Sequence, residues 1–270
     1  MPVTLSPPDL AALIARLRAA GCVFAEDEAA LLVEAARDGS ALETLTARRV
    51  AGEPLEPLLG WVAFAGRRVR VAPGVFVPRR RSELLVRAAV AAVAESPASA
   101  RPLTVVDLCC GVGAIGVSVA LALPGSRLWC CDLDPAAVAC AERNIAEAGV
   151  SGTALVGDLD APLPPELSGR VDQLTANTPY VPTDEIALLP SEARAHEPTL
   201  ALDGGVDGLA LHRRVAELAP RWLRPGGVLL IETSARQAER TAAACAAAGL
   251  RPRVVTADDL GATAVVAECG

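Results

Sequence analysis

The sequence predicts an α/β fold: a mostly parallel sheet with helices on both faces, preceded by a small helical unit and a β-hairpin. Three observations carry this. From Leu103 onward, short apolar runs alternate with longer helical stretches, the pattern of units that feed a parallel sheet. A glycine-rich turn, Gly111-Val112-Gly113-Ala114-Ile115-Gly116, follows the first of those runs, where a strand would hand over to a helix. The last two apolar runs, residues 251–256 and 263–268, are joined by a segment too short for a crossover helix, so the final strand should run antiparallel.

Taken in order, residues 4–50 read as three helices. Asp9 can cap the first, which places Leu10, Leu13, Ile14 and Leu17 on one face and ends at Gly21. The second spans 27–38 and ends at Gly39, and the third spans 40–50. Three short helices with few aromatics make a weak core, so they should lean on something larger or on a partner. Residues 53–81 are punctuated by proline and glycine, and the runs 61–64 and 68–71 fit a hairpin turning near Gly66. Ser82 can begin a helix over 83–94, and a Ser/Pro/Ala stretch at 95–102 marks a boundary. Strands are then expected at 103–108, 127–132, 154–156, 171–176, 228–233, 251–256 and 263–268, seven in all. Helices are expected at 114–123, 134–148, 208–219 and 236–248. The fifth strand should follow a turn at Pro225-Gly226-Gly227.

Composition bounds the function. The chain has 270 residues, is 52% hydrophobic but only 3% aromatic, and so must build its core from Ala, Val and Leu. All 25 basic residues are Arg, and the net charge of −7 argues against a protein that coats nucleic acid non-specifically. The eight Cys include two adjacent pairs, Cys109-Cys110 and Cys130-Cys131, but no CxxC, and neither His lies near them. Buried thiols in a reducing compartment are expected, with no metal site. No apolar run approaches the roughly 20 residues of a membrane span, and the first residues lack a basic, apolar leader. A cytoplasmic, soluble protein without a membrane partner is the expectation.

Two motifs carry chemistry. In the glycine turn, Gly111, Gly113 and Gly116 let backbone approach a cofactor, and Asp132 about 20 residues beyond Gly111 can bind ribose hydroxyls. On the glycines alone an NAD-binding reading stays live. Asp107 at the tip of the first strand, able to receive an ammonium directly or through water, and the closing antiparallel hairpin favour S-adenosylmethionine. The second motif is Asn177-Thr178-Pro179-Tyr180, at the end of a buried strand that Pro179 must terminate. Pro179 pushes Thr178 into an extended conformation. The Asn177 side chain and the Thr178 carbonyl can then face one crevice, with Tyr180 as a flat wall. That suits a planar group with N–H donors. A strand exit with a capping Asn is the plainer alternative. The arginines at 67, 68, 70, 79, 80 and 81 form a basic cluster, either a solvated linker surface or a contact with an anionic partner or with the chain terminus of a ligand.

The ordered set of motifs resembles one family. Asp107-Leu108-Cys109-Cys110-Gly111-Val112-Gly113 is similar to the first motif of class I (Rossmann-like) methyltransferases, and Asn177-Thr178-Pro179-Tyr180 to the N-P-P-Y motif of amino-group methyltransferases. Phe76-Val77-Pro78-Arg79 through Glu83, and Glu197-Pro198 with residues 201–209, resemble the linker and late loop of the HemK/PrmC-type protein-(glutamine-N5) methyltransferases. That family modifies the Gln of the Gly-Gly-Gln loop in peptide chain release factors. Cys109 stands where the family has its first glycine, Thr178 where it has the first proline, and Arg80-Arg81-Ser82 where it has Pro-acid-Thr.

The resemblance implies three parts: a helical substrate-recognition domain at 1–52, a hairpin linker at 53–82, and an S-adenosyl-L-methionine-dependent domain at 83–270. It implies that Asn177 and Thr178 accept the two protons of the acceptor amide, beside Pro179 and Tyr180. It places Asp107, Cys109, Gly111, Gly113, Ala114, Ile115, Asp132, Leu133, Asp158, Leu159 and Asn177 around the cofactor, with Asp132 on the ribose diol, and has Glu197 brace the loop over the site. Asp132 and Asp158 can also be read as solvated strand ends. The implied partner is a release factor, with no stable nucleic-acid partner. An amino methyltransferase acting on a nucleic-acid base remains the competing activity. An NAD-linked oxidoreductase would need a Tyr-Lys or His constellation, and the chain has no Lys. If Cys109 spoils the loop, a non-catalytic binding protein on this fold is the third reading.

Overall fold

The computed structural model describes residues 3–94, 102–189 and 197–270. The boundary expected at 95–102 falls almost wholly outside them, as does His196.

Helix α1 (Pro7–Ala19) starts earlier than Asp9 suggested. Ser6 is the cap, its Oγ accepting from the Asp9 N–H at 3.4 Å. Pro7 and Pro8 have no N–H to satisfy and fit the first turn, so the helix begins at them. Helix α2 (Ala25–Ala35) stops short of Asp38, which instead caps α3 (Gly39–Val50) by accepting from the Ala41 N–H at 2.8 Å. An ion pair between Glu28 and Arg49 at 2.7 Å ties α2 to α3. These helices enclose a separate apolar cluster that includes Leu13, Leu17, Ala29, Leu32 and Leu42. A short helix, α4 (Leu55–Leu59), was not foreseen. Pro54 precedes it and Gly60 ends it in the left-handed conformation, so the prolines and glycines that read as loop bracket a single turn.

The hairpin of β1 (Trp61–Phe64) and β2 (Arg67–Arg70) turns through Ala65 and Gly66, both at positive φ, as a tight two-residue turn requires. Val62, Phe64 and Val69 join the same core as α5 (Glu83–Ala94), which follows a 3₁₀ turn at Arg80–Ser82.

The main sheet contains β3 (Thr104–Leu108), β4 (Arg127–Asp132), β5 (Ser151–Val156), β6 (Val171–Ala176), β7 (Leu223–Thr233), β8 (Arg251–Ala257) and β9 (Ala262–Glu268). Their order is β5-β4-β3-β6-β7-β9-β8, and only β9 runs against its neighbours. Helices α5, α6 (Ala114–Ala122) and α7 (Pro135–Ala148) cover one face, and α8 (Ala210–Trp222) and α9 (Ala238–Ala247) the other. Alternate residues divide between the faces: Leu230 packs on the first, Leu229 and Ile231 on the second. Strand β7 runs through the turn expected at Pro225-Gly226-Gly227. A register shift against β6 between Val171 and Gln173 absorbs it, and a Cβ at Gly227 would stand 2.9 Å from the Val171 carbonyl oxygen. No helix among the described residues is long and apolar enough to cross a membrane.

Strand order reverses between β3 and β6, and a crevice opens there at the carboxyl ends of the strands. Behind it Trp222, 1% exposed, ends α8 and donates its indole N–H to Asp160 at 2.8 Å. Replacing Trp222 with Ala removes the largest fully buried side chain and is expected to cost about 3–5 kcal/mol, measured as a lower urea midpoint.

Candidate active site

The crevice holds a cavity of about 490 Å³, within the range of small-molecule sites. Strand β4 ends in Asp132, whose carboxylate accepts from the Gly111 N–H at 2.7 Å and the Asp134 N–H at 2.9 Å. Each oxygen keeps a further lone pair for an incoming hydroxyl. Burial raises the Asp132 pKa above the ordinary carboxylate value. Leu133, Pro135, Ala137 and Leu159 make apolar wall beside it. Asp158, which follows the adjacent strand β5 and also borders the cavity, accepts from the Arg214 guanidinium at 2.8 Å.

The loop between β3 and α6 passes over Asp107. This carboxylate is fully buried, accepting from the Thr175 hydroxyl at 2.7 Å and the Gly116 N–H at 2.9 Å. Loss of hydration pushes its pKa up to about 6, against the pull of those two donors. Above it Cys109 has φ +53° and Gly111 φ +54°, both left-handed. A Cβ there costs about 1–2 kcal/mol, and Cys109 bears it. Cys109 borders the cavity, and its thiol is held protonated by burial and by Asp132 and Asp107.

Strand β6 delivers Asn177, Thr178, Pro179 and Tyr180 into the same cavity. The Asn177 Nδ2 donates to the buried Ser82 Oγ at 3.1 Å, which turns its Oδ1 the other way. Thr178 is buried, and its Oγ1 finds no hydrogen-bond partner among the described residues. The Tyr180 hydroxyl donates to Glu232 Oε1 at 3.2 Å, at the buried end of β7, and Arg81 donates to the same oxygen at 3.1 Å. Burial, with Glu232 beside it, keeps the Tyr180 phenol protonated.

The segment 203–209 clamps this motif. Val181 donates to the Leu202 carbonyl and accepts from the Gly204 N–H. Gln237 donates to the Tyr180 carbonyl at 2.9 Å. Gly208 lies so close that any side chain would overlap that carbonyl oxygen, and a Cβ at Gly204 would stand 2.7 Å from the Tyr180 Cα. Glu197 is ion-paired with Arg79 of the linker, so the late loop is tied down beside the cavity.

A family profile described as "Methyltransferase small domain" matches residues 68–188. Over 205 residues the chain is 42% identical to the release factor glutamine methyltransferase of Mycolicibacterium smegmatis, covering 74% of this chain and 70% of that one. This chain belongs to the release factor glutamine methyltransferase family. The protein of that name from Gloeobacter violaceus is 44% identical over 199 residues, with 73% and 67% covered. A 4-amino-L-phenylalanine/4-methylamino-L-phenylalanine methyltransferase from Streptomyces pristinaespiralis is 39% identical over 192 residues, with 70% and 64% covered. Among solved structures, the 16S rRNA N2 G1207 methyltransferase of T. thermophilus superposes with a TM-score of 0.53 at 19% identity, covering 78% of this chain and 50% of that one. A methyltransferase from Pyrococcus furiosus gives 0.54 at 13%, covering 76% and 90%. These two likenesses speak to fold, and the sheet is that of a class I methyltransferase.

Of the residues singled out in this methyltransferase, Cys109, Gly111, Asp132, Leu133, Asp158, Leu159 and 177–180 border one cavity. Asp107, Gly113, Ala114 and Ile115 are not among its lining residues. Asp107 lies fully buried under the loop, its two oxygens accepting from Gly116 and Thr175. Gly113 caps α6, packed so that a Cβ would lie 3.1 Å from the Ala141 Cβ, and Ala114 and Ile115 are buried in its first turn. The arginine cluster is dispersed: Arg68, Arg70, Arg79 and Arg81 pair with Glu34, Glu147, Glu197 and Glu232. Sequence reasoning missed Ser82, Glu232, Arg214 and Gln237, whose partners are remote in the chain.

It also left His212 without a partner. The ring is buried behind Tyr180, their centroids 6.2 Å apart, and its Nδ1 lies 2.9 Å from the Thr241 hydroxyl. Burial and the nearby Arg213 lower its pKa to about 4, against a smaller opposite pull from Asp207. The folded pKa lies below the unfolded one, so stability from the neutral ring is present above pH 6.5 and lost as pH falls towards 4. The stability margin of the native protein over His212→Gln should therefore shrink by about 3 kcal/mol between pH 7 and pH 4, read by urea unfolding at each pH.

Proposed function

We propose that this chain transfers a methyl group from S-adenosylmethionine to the side-chain amide nitrogen of a glutamine, in the Gly-Gly-Gln loop of a peptide chain release factor. The observation that carries the reading is the convergence of two motifs on one cavity. The Asn177–Tyr180 motif, Cys109 and Gly111 of the loop after β3, and Asp132 at the end of β4 all border it.

The residues present fit the cofactor. Asp132 retains acceptor capacity for a ribose diol, the apolar wall of Leu133, Pro135 and Ala137 suits a purine, and the left-handed backbone at Cys109 and Gly111 leaves room for close approach. When bound, S-adenosylmethionine supplies an electrophilic methyl on a sulfonium. Asp107 acts from beneath, fixing the loop that borders this end of the cavity.

An amide nitrogen is a weak nucleophile because its lone pair is delocalised into the carbonyl. Asn177 Oδ1, turned into the cavity by the Ser82 hydrogen bond, accepts one amide proton, and the Thr178 carbonyl accepts the other. The two acceptors raise electron density on nitrogen and fix its line of approach, and alignment is the larger contribution. Tyr180, anchored through its hydroxyl to Glu232, packs against the amide plane. Pro179 holds the backbone extended at Thr178. A release factor as acceptor implies a cytoplasmic enzyme.

The relative named for aminophenylalanine shows why the acceptor must be tested. Labelled methyl from S-adenosylmethionine is offered to purified release factor, to aminophenylalanine and to an RNA and DNA panel. Label on the release-factor glutamine is expected, and Asn177→Ala should reduce it by about a hundredfold or more, the scale of losing a group that orients the nucleophile. Label only on another acceptor would overturn the substrate.

A further inference from the structure

Arg81 is the one linker arginine that both lines the cavity and keeps hydrogen-bonding capacity there. Its Nε donates to Glu232 Oε1 at 3.1 Å, and its guanidinium carbon lies 5.6 Å from the centre of the Tyr180 ring. Neither terminal nitrogen donates to any described residue, and the side chain is half exposed. Ser82, next in the chain, holds Asn177. One 3₁₀ turn therefore places a guanidinium beside the groups proposed to grip the acceptor amide.

A glutamine side chain has several rotatable bonds, so gripping its amide alone leaves the rest of the residue swinging. A second fixed point on the same residue would restrict the nitrogen to the reactive line. The nearest oxygen a glutamine can offer beyond its amide is that of its own main chain. A planar guanidinium with free N–H groups suits a carbonyl or carboxylate oxygen. We infer that Arg81 is a specificity-determining residue: its terminal nitrogens bind a main-chain carbonyl or carboxylate oxygen of the acceptor, while Glu232 holds the guanidinium in place. This rests on the reading of the cavity as an amide-methylating site.

The test separates the two ends of the acceptor. Binding of N-acetyl-L-glutamine, N-acetyl-L-glutaminamide and butyramide to the full chain is measured by NMR titration. Butyramide carries the side-chain amide and no main chain. Arg81→Met is expected to weaken the first two by about tenfold, the scale of one charge-assisted hydrogen bond, and to leave butyramide unchanged. Arg81→Lys should recover part of the loss. The acid and amide ligands distinguish a carboxylate from a carbonyl as the preferred oxygen. Because Arg81→Met strips Glu232 of its cation, the double variant with Glu232→Gln is titrated beside it and should show the same selective loss. With release factor as substrate, the Arg81→Met loss in kcat/KM should appear mainly in KM. The inference is overturned if wild type fails to bind N-acetyl-L-glutamine, if all three ligands weaken together, if none does, or if the double variant regains the lost affinity. Wild-type transfer to release factor is scored separately. Its absence with the ligand pattern intact would sink the release factor and keep Arg81, whereas transfer with an indifferent Arg81 would do the reverse.

Discussion

A carboxylate sealed from water at the tip of β3 holds the centre of this molecule together. Asp107 reaches sideways to Thr175 on β6 and upward to the first turn of α6. It thereby joins the strand that ends in Asn177 to the glycine-rich loop, both of which border the cavity. The fit is tight, because a Cβ at Gly116 would come within 2.9 Å of the Asp107 side chain. Losing hydration is costly for a carboxylate, and the two donors offset only part of that cost. The loop after β3 and the strand that ends in Asn177 are thus joined through one buried carboxylate.

Around this centre the polar contacts become progressively longer in range. Asp132 organises its own turn, Asn177 is set by a residue from the linker, and Tyr180 by the end of β7. The linker contributes on both sides, through Arg79 to Glu197 and through Arg81 to Glu232. The hairpin and its following turn are therefore tied to the residues that border the cavity. Their apolar residues sit in the core of the sheet domain, which keeps those polar contacts in register.

Legibility in the sequence followed the range of the interaction. Strand β6 and its ending were readable because Pro179 must stop a ladder and Asn177 is out of place in an apolar run. The loop at 109–116 was readable because glycines mark positive φ, and Cys109 confirms the point by adopting that conformation with a side chain. Asp107 was legible as a strand-end carboxylate but its burial beneath the loop was not, since sequence does not say which face of a loop a strand-end carboxylate meets. Glu232 was invisible inside an apolar strand, and Ser82 looked like a helix start. Ser6 displaced Asp9 as a cap because two prolines shifted the first turn. The small helix α4 was hidden by the residues that delimit it.

The packing of Gly204 and Gly208 against Tyr180 has a bearing on how variation in this chain is read. More than twenty residues separate them from the motif, and neither carries a functional group. Yet backbone at both positions is in contact with the Tyr180 backbone, so the smallest possible side chain would move Tyr180. In a catalogue of natural sequence changes, such positions would look like spacer in a loop. They behave as the back wall of a mould, whose thickness sets the shape cast on the other side.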